Sequence, residues 1–184
     1  MKRILCLVLA SVFLLTATAC GSKKNAPGTI KDDKSIQDVL DAVDTKFKEK
    51  HSGEYGAIAM KMSIDNQYLS DFVDLDASAY DEYAGAVSMS MTNSDALFVV
   101  KATADKVDVV QQALEKRLAD LVAQYEFYNV NGSYDRAKAG EVYVKGNYVF
   151  LIVVGYMSGQ EQEVPDFSQD VQLTKDTIDG MFNA

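Results

Sequence analysis

Seven consecutive apolar residues near the end of the chain constrain its fold more than any other feature. Residues 148–154 read Tyr-Val-Phe-Leu-Ile-Val-Val. Successive side chains of a strand point to opposite faces of a sheet, so a strand without a polar face is covered on both sides. We therefore predict a central strand here. A Gly-Asn turn signal separates it from residues 141–145, and the two segments are predicted to form a hairpin.

A second hairpin is predicted earlier in the chain. In residues 84–92, apolar side chains alternate with small or polar ones, which is typical of a half-buried strand. The alternation favours core positions for Met89 and Met91, although thioethers also suit a soft metal or an adaptable surface. A turn cluster at residues 93–95 leads into a second apolar strand at residues 96–102.

Helical periodicity completes the predicted architecture. Apolar residues recur every three or four positions in residues 36–50 and 105–125, and residues 174–182 can form a short closing helix. Asp65 can cap another short helix, but the conformation of residues 54–83 is left open. The predicted fold class is α+β, in the order α-(α)-β-β-α-β-β-α. Two hairpins form a four-stranded, mainly antiparallel sheet that packs against the helices.

The N-terminus has the pattern of a secretory signal peptide. Residues 1–19 carry two basic residues directly after Met1, continue with an apolar run of about a dozen residues, and end with small side chains. The apolar run is shorter than the roughly 20 residues that a transmembrane helix needs. We predict a signal peptide at 1–19, a lipidated Cys20 with a flexible tether at 20–34, and a single domain at 35–184.

The residues around Cys20 resemble a bacterial lipobox. A small residue precedes the cysteine, and Gly21 and Ser22 follow it. The resemblance implies a diacylglyceryl group with palmitate-like acyl chains on the Cys20 sulfur, cleavage before Cys20, and a location on the extracytoplasmic face of the cell membrane. Lys23 and Lys24 can add attraction to anionic headgroups. A retained membrane helix and ordinary secretion remain the alternatives.

Two longer stretches carry a family resemblance. Residues 81–117 place a predicted strand pair before a long helix containing Arg117, and residues 143–153 place a Gly-Asn-Tyr turn before the last strand. Together with the lipobox, these stretches resemble the uncharacterised bacterial lipoproteins grouped as domain of unknown function 4358. The resemblance implies a small α+β domain on a lipid anchor, and it supplies no catalytic residues.

Composition and motifs exclude several kinds of chemistry. The formal net charge of −9 argues against nucleic acid as a partner, because phosphate binding needs concentrated Lys and Arg. His51 is the single histidine, and its position favours an exposed cation at the end of a helix over a catalytic base. The acidic residues 71–82 fail the EF-hand pattern, so weak calcium binding is only an open question there. We predict no enzyme activity, no cofactor and no metal site.

Four aromatic residues between the long helix and the second hairpin form a candidate partner surface: Tyr125, Phe127, Tyr128 and Tyr134. Such a cluster either binds a partner or closes the end of a core with its hydroxyl groups in water. The leading functional hypothesis is a non-enzymatic accessory lipoprotein that binds a protein or another cell-envelope partner. The alternative is a small-ligand-binding lipoprotein that acts with a transporter, and an envelope hydrolase is the least favoured.

Overall fold

The structure, a computed structural model, describes residues 28–31, 33–53, 55–158 and 163–184. The predicted signal peptide and the predicted lipidation site, Cys20, lie outside the described residues.

An antiparallel sheet, whose strands differ in length, forms the centre of the domain. In the described residues it has five strands: β1 (Lys61–Ser63), β2 (Tyr80–Ser88), β3 (Ala96–Ala102), β4 (Glu141–Lys145) and β5 (Tyr148–Val153). Their order across the sheet is β1-β2-β3-β5-β4, and every neighbouring pair is antiparallel. Both predicted hairpins, β2–β3 and β4–β5, are therefore confirmed. The apolar segment that begins at Tyr148 is an interior strand, as predicted.

Helices cover both faces of this sheet. The helices of the described residues are α1 (Ile36–Lys50), α2 (Asn66–Val73), α3 (Val107–Glu126), α4 (Ser133–Ala139) and α5 (Ser168–Met181). Buried side chains of α2, α3 and α4 share one core cluster, and those of α1 and α5 share the other. The sheet is thus the middle layer of three, which confirms the α+β class.

Strands β3 and β5, which are neighbours in the interior of the sheet, divide their side chains between the two cores. On β3, Phe98 and Val100 join the α3 side, whereas Leu97 and Val99 join the α1 side. Strand β5 alternates in the same way, and all of its side chains are buried. Period-two alternation on a strand without a polar face therefore supplies both cores at once.

The predicted number of strands is wrong by one. Strand β1 (Lys61–Ser63) adds a fifth strand beside β2, and its three residues are exposed. The prediction missed it because three exposed residues show no hydrophobic period. Strand β2 begins earlier than predicted and ends at Ser88, so Met89 and Met91 lie beyond the sheet. Their predicted core positions are wrong.

The start of the described chain packs against the β4–β5 turn. Gly28 and Gly146 both have positive φ, 73° and 58°, and a side chain on either one would collide with the backbone of the other. Gly28 N also donates to Asn183 O at 3.1 Å, and Ile30 forms an isolated bridge with Phe182. The last part of the predicted tether therefore lies on the domain, at the end of the sheet where β5 begins.

Candidate functional site

Two surface depressions lie at the opposite end of the sheet, where β3 begins and β5 ends. The first, which we call the methionine groove, is lined by Met62, Phe72, Met89, Met91 and Arg117 and has a volume of about 330 Å³. Its methionines come from β1 and from the loop after β2. Met62 pairs with Val87 inside the β1–β2 ladder, which ends at Ser88, so Met89 and Met91 lie beyond the last ladder pair.

The groove is an exposed apolar surface. Met89 is 61% exposed and Met91 is 87% exposed, and Met62 and Phe72 are also exposed. Burying large apolar side chains releases free energy, and a group of them left exposed beside one another is a feature common on the interaction surfaces of proteins. Thioethers suit this use because their flexible chains adapt to different partners.

Arg117 lies inside this apolar surface. It projects from α3, and its guanidinium carbon is 5.8 Å from the ring centroids of both Tyr68 and Phe72. Its Nε donates to the Tyr68 hydroxyl at 3.3 Å. Arg117 forms no ion pair with any residue that the structure describes. The groove therefore holds a guanidinium that is framed by aromatic rings, and Asp95, which also lines the groove, pairs with Arg136 instead.

The four aromatic residues of the candidate partner surface occupy different environments. Tyr125 is only 4% exposed, belongs to the core on the α3 side, and donates its hydroxyl to Asn93 O at 2.8 Å. Phe127 is 90% exposed, whereas Tyr128 is 56% exposed and borders a hollow that Met91 also lines. Tyr134 is partly buried, with the Lys138 ammonium 5.1 Å from its ring. Tyr128 extends the exposed surface, Tyr125 supports it from beneath, and Phe127 is exposed at the end of α3.

The second depression is a polar cleft of about 240 Å³. The side chains that define it come from loops and from α4: Tyr55, Asn93, Asp95, Asn131, Arg136 and Tyr156. The antiparallel pairing of β3 with β5 brings the loop before β3 next to the loop after β5. Asn93 and Asp95 line both depressions, so the polar cleft and the methionine groove share a wall.

A buried ion pair forms the inner wall of the polar cleft. Arg136 Nε lies 3.1 Å from Asp95 Oδ1, and both side chains are almost fully buried. Arg136 also donates to Gly155 O (2.9 Å), Asn93 Oδ1 (3.1 Å) and Asn131 O (3.3 Å). Its guanidinium carbon lies 4.7 Å from the ring centroid of Phe167. Arg136 therefore joins α4 to the loops on both sides of the cleft.

Asp95 is less well satisfied than its partner. Its Oδ2 accepts hydrogen bonds from Ala59 N (3.2 Å) and Asn93 Nδ2 (3.0 Å). Its Oδ1 accepts none from the described residues, because the Arg136 Nε hydrogen is directed to Gly155 O. Burial raises the pKa of Asp95 to about 6, although Arg136 and the two hydrogen bonds act to lower it.

The single histidine belongs to a second buried carboxylate site, which we call the Asp170 clamp. Asp170 accepts hydrogen bonds from Lys50 Nζ (2.6 Å) and Tyr156 N (3.0 Å), and its Oδ1 lies 3.0 Å from His51 Nε2. His51 stacks on the Tyr156 ring, with 4.6 Å between ring centroids. Its side chain is only 15% exposed, so the expectation of an exposed histidine is wrong. The clamp joins the end of α1 to α5 and holds Tyr156 at the cleft.

The acidic residues 71–82 act mainly within their own local structure. Asp76 accepts from Ser78 N at 2.8 Å and caps a short 3-10 turn, and Asp71 accepts from Gln67 Nε2 at 3.2 Å. Asp65 caps α2, as its position predicts. In the described part of the chain, no three His, Cys, Asp or Glu side chains lie close enough together to hold a metal ion.

Sequence patterns did not identify the polar cleft. Asp95 and Arg136 are separated in the chain by β3 and α3, and neither lies in a recognisable motif. The available signal was a charged residue in each of two short loop or helix segments that border apolar strands. Such a signal does not predict which acidic residue forms an ion pair with which basic residue.

The chain matches the profile of a known protein family. The profile of a family described as "Domain of unknown function (DUF4358)" matches residues 54–154. No curated protein and no solved structure matches. The matched span includes every residue that lines the methionine groove and most of those that line the polar cleft, and it leaves α1 and α5 outside. Within the residues described above, no helix has the length and apolar character to span a bilayer.

Proposed function

The chain belongs to the DUF4358 family, and from this premise we propose that it is a lipid-anchored accessory protein of a bacterial envelope. Its domain binds a partner protein through the methionine groove. The N-terminal signal pattern and Cys20 support the anchor and the extracytoplasmic location. An exposed apolar surface on a domain with two well-formed cores supports the binding role.

The observation that carries the proposal is the position of Arg117 among exposed apolar side chains. Binding surfaces concentrate their energy in a few aromatic and arginine residues surrounded by apolar contacts. Arg117 is held over Tyr68 and Phe72, so its guanidinium is already oriented before a partner arrives. Pre-orientation lowers the entropy lost when the partner binds.

The chemistry of the groove defines the segment that it accepts. Methionine and phenylalanine side chains favour apolar groups, and the guanidinium of Arg117, which forms no ion pair with the described residues, favours a carboxylate. A segment with an apolar face and one acidic residue meets both requirements. An amphipathic helix laid into the groove is a common form of such a segment.

Site-specific cross-linking in intact cells tests this role. A photoreactive amino acid replaces Met91 in the groove or, as a control, Val109, an exposed apolar residue on the outer side of α3. We expect a discrete cross-linked protein from position 91 and none from position 109. Equal products from both positions, or no product from position 91, would contradict a partner at the groove.

The charge of Arg117 provides a matched comparison. We expect Arg117→Glu to reduce the cross-linked product at least tenfold (about 1.4 kcal/mol), because it replaces the attraction for a carboxylate with repulsion. Lys116→Glu reverses a charge one position away, on an exposed side chain that pairs with Asp120, and should leave the yield unchanged. The unfolding temperature of both variants checks that the domain is intact. An equal loss in both variants would refute a specific role for Arg117.

The anchor has an independent test. Cys20→Ala removes the sulfur that would carry the lipid, so we expect the protein to move from the membrane fraction to the soluble fraction or to remain unprocessed. Metabolic labelling with a palmitate analogue should mark the wild-type chain and not the variant. Labelled Cys20→Ala protein would refute the assigned lipidation site without affecting the proposal for the groove.

A further inference from the structure

We propose that the polar cleft is a second binding site and that it takes a single neutral sugar ring. The cleft is distinct from the methionine groove in its lining, although Asn93 and Asp95 contribute to both walls. The proposal rests on the polar groups that converge in the cleft, on its charge, and on two tyrosine rings at its side. It does not depend on the groove binding a partner.

The polar groups of the cleft are planar and combine donors with acceptors. They are the guanidinium of Arg136, the carboxylate of Asp95 and the side-chain amides of Asn93 and Asn131. Within the described residues, Arg136 commits one N–H each to Gly155 O, Asn93 Oδ1 and Asn131 O, and a guanidinium has five. Sugar hydroxyls both donate and accept, so adjacent hydroxyl groups match such a mixed set.

The charge of the cleft favours a neutral ligand. Asp95 and Arg136 are the only charged residues in the described lining, and they compensate each other at 3.1 Å. A charged ligand would compete with one member of this pair and leave the other member buried without a counter-charge, which is costly. A neutral, hydroxyl-rich molecule adds hydrogen bonds while the ion pair stays intact.

Two tyrosine rings provide a surface for the ring of a sugar. The centroids of Tyr55 and Tyr156 are 5.5 Å apart with 37° between the planes, and Tyr55 is 49% exposed. Tyr156 is held in place by the Asp170 clamp through its backbone N–H and through His51. The negative face of an aromatic ring attracts the weakly positive C–H groups on one side of a sugar ring.

The size of the cleft and one unsatisfied oxygen agree with this ligand. About 240 Å³ is below the range of sites for drug-sized molecules, so one ring fits better than an extended oligosaccharide. Asp95 Oδ1 accepts no hydrogen bond from the described residues, and buried polar atoms rarely lack a partner.

Saturation-transfer NMR with the full-length chain tests the proposal. The protein is kept in a detergent without a sugar headgroup, and N-acetylglucosamine and glucose are the neutral probes. Glycine and acetate are the charged probes. We expect saturation transfer to a sugar with a Kd of about 1 mM or tighter, and weaker transfer to the charged probes. No transfer to either sugar at about 10 mM, or stronger transfer to a charged probe, overturns the proposal.

Two tyrosines of similar exposure provide the matched control. We expect Tyr55→Ala to weaken sugar binding at least tenfold, because it removes one stacking surface from the cleft. Tyr128→Ala removes a ring of nearly equal exposure from beside the methionine groove and should change the Kd less than twofold. Asn131→Ala, at an exposed cleft residue, should weaken binding as well. Unchanged binding in Tyr55→Ala, or equal losses in the two tyrosine variants, overturns the assignment to this cleft.

Discussion

Asp95 and Asp170 are both buried, both lie beside cations at the same end of the sheet, and yet their pKa values shift in opposite directions. Burial raises the pKa of Asp95 to about 6. Burial acts on Asp170 in the same direction, but hydrogen bonds from Lys50, Tyr156 N and His51 outweigh it and lower the net pKa. The nearest cation alone therefore does not decide whether the pKa of a buried carboxylate is raised or lowered.

The difference between the two sites lies in how their oxygens are satisfied. Both oxygens of Asp170 accept hydrogen bonds, whereas Oδ1 of Asp95 accepts none from the described residues. Hydrogen bonds to the charged form compensate for lost hydration, and a charge contact without one does so less well. The better-satisfied carboxylate holds two helices together, and the poorly satisfied one faces a cleft. Such a departure from good local chemistry is typical of functional sites.

The largest expected effect comes from removing the cation of the Asp95 site. Arg136→Ala leaves Asp95 buried without its counter-charge and removes three hydrogen bonds to loops. We expect the free energy of unfolding to fall by about 3–5 kcal/mol. Urea unfolding followed by circular dichroism measures it. A loss below about 1 kcal/mol, the value typical of surface pairs, would contradict a buried, energetically coupled pair.

The next largest effect separates the two carboxylates by pH. The folded state holds a proton on Asp95 that the unfolded chain has already released, so this contribution to stability falls as pH rises from about 4 to 6 and is constant above that. Between about pH 4.5 and 6.5, the unfolding free energy of the wild type should fall by about 2 kcal/mol relative to Asp95→Asn. The subtraction cancels the pH dependence of the groups that both proteins contain.

Asp170→Asn gives the comparison of opposite sign. The pKa of Asp170 is lowered by folding, so its contribution is present above the ordinary pKa of an aspartate and is lost as pH falls through the lowered value. Relative to this variant, the wild type should lose stability toward acid and show no fall between pH 4.5 and 6.5 from this group. If the unfolding free energy of the wild type relative to Asp95→Asn and relative to Asp170→Asn had the same dependence on pH, the distinction between the two sites would be refuted.

The smallest expected effect concerns the cation of the clamp. Lys50 is partly exposed and its ammonium can return to water, while His51 and Tyr156 N still bond Asp170 in its absence. We expect Lys50→Ala to lower the free energy of unfolding by no more than about 1 kcal/mol. A loss as large as that of Arg136→Ala would show that the two ion pairs are energetically equivalent.

Local sequence signals predicted the elements that depend on local physics. Helix α1 begins and ends where predicted, because Ser35 and Asp38 form a capping box ahead of a regular apolar stripe. Strand β5 was predicted as an interior strand because all its positions are apolar. Strand β1 escaped prediction, since its exposed residues become a strand only by pairing with β2.

The candidate sites were harder to predict because they depend on distant contacts. The alternation of apolar and polar residues around Met89 predicted a half-buried strand. This pattern does not indicate where the strand pairing ends, and β2 ends at Ser88. His51 looked like an exposed helix end because Asp170 and Tyr156, which cover it, are more than 100 residues away in the chain. Asp95 lies just before β3 and Arg136 lies on α4, so only the packing of these distant elements brings the two side chains together.

The contact between Gly28 and Gly146 has a consequence for how the domain would stand on a bilayer. It fixes the start of the described chain at one end of the sheet, and the groove and the cleft are at the other. From an acylated Cys20, residues 20–27 could reach at most about 30 Å. Strand β3 adds roughly 23 Å of height beyond that point. With the β4–β5 turn toward the lipid, the methionine groove and the polar cleft, the two proposed recognition surfaces, would face away from the membrane.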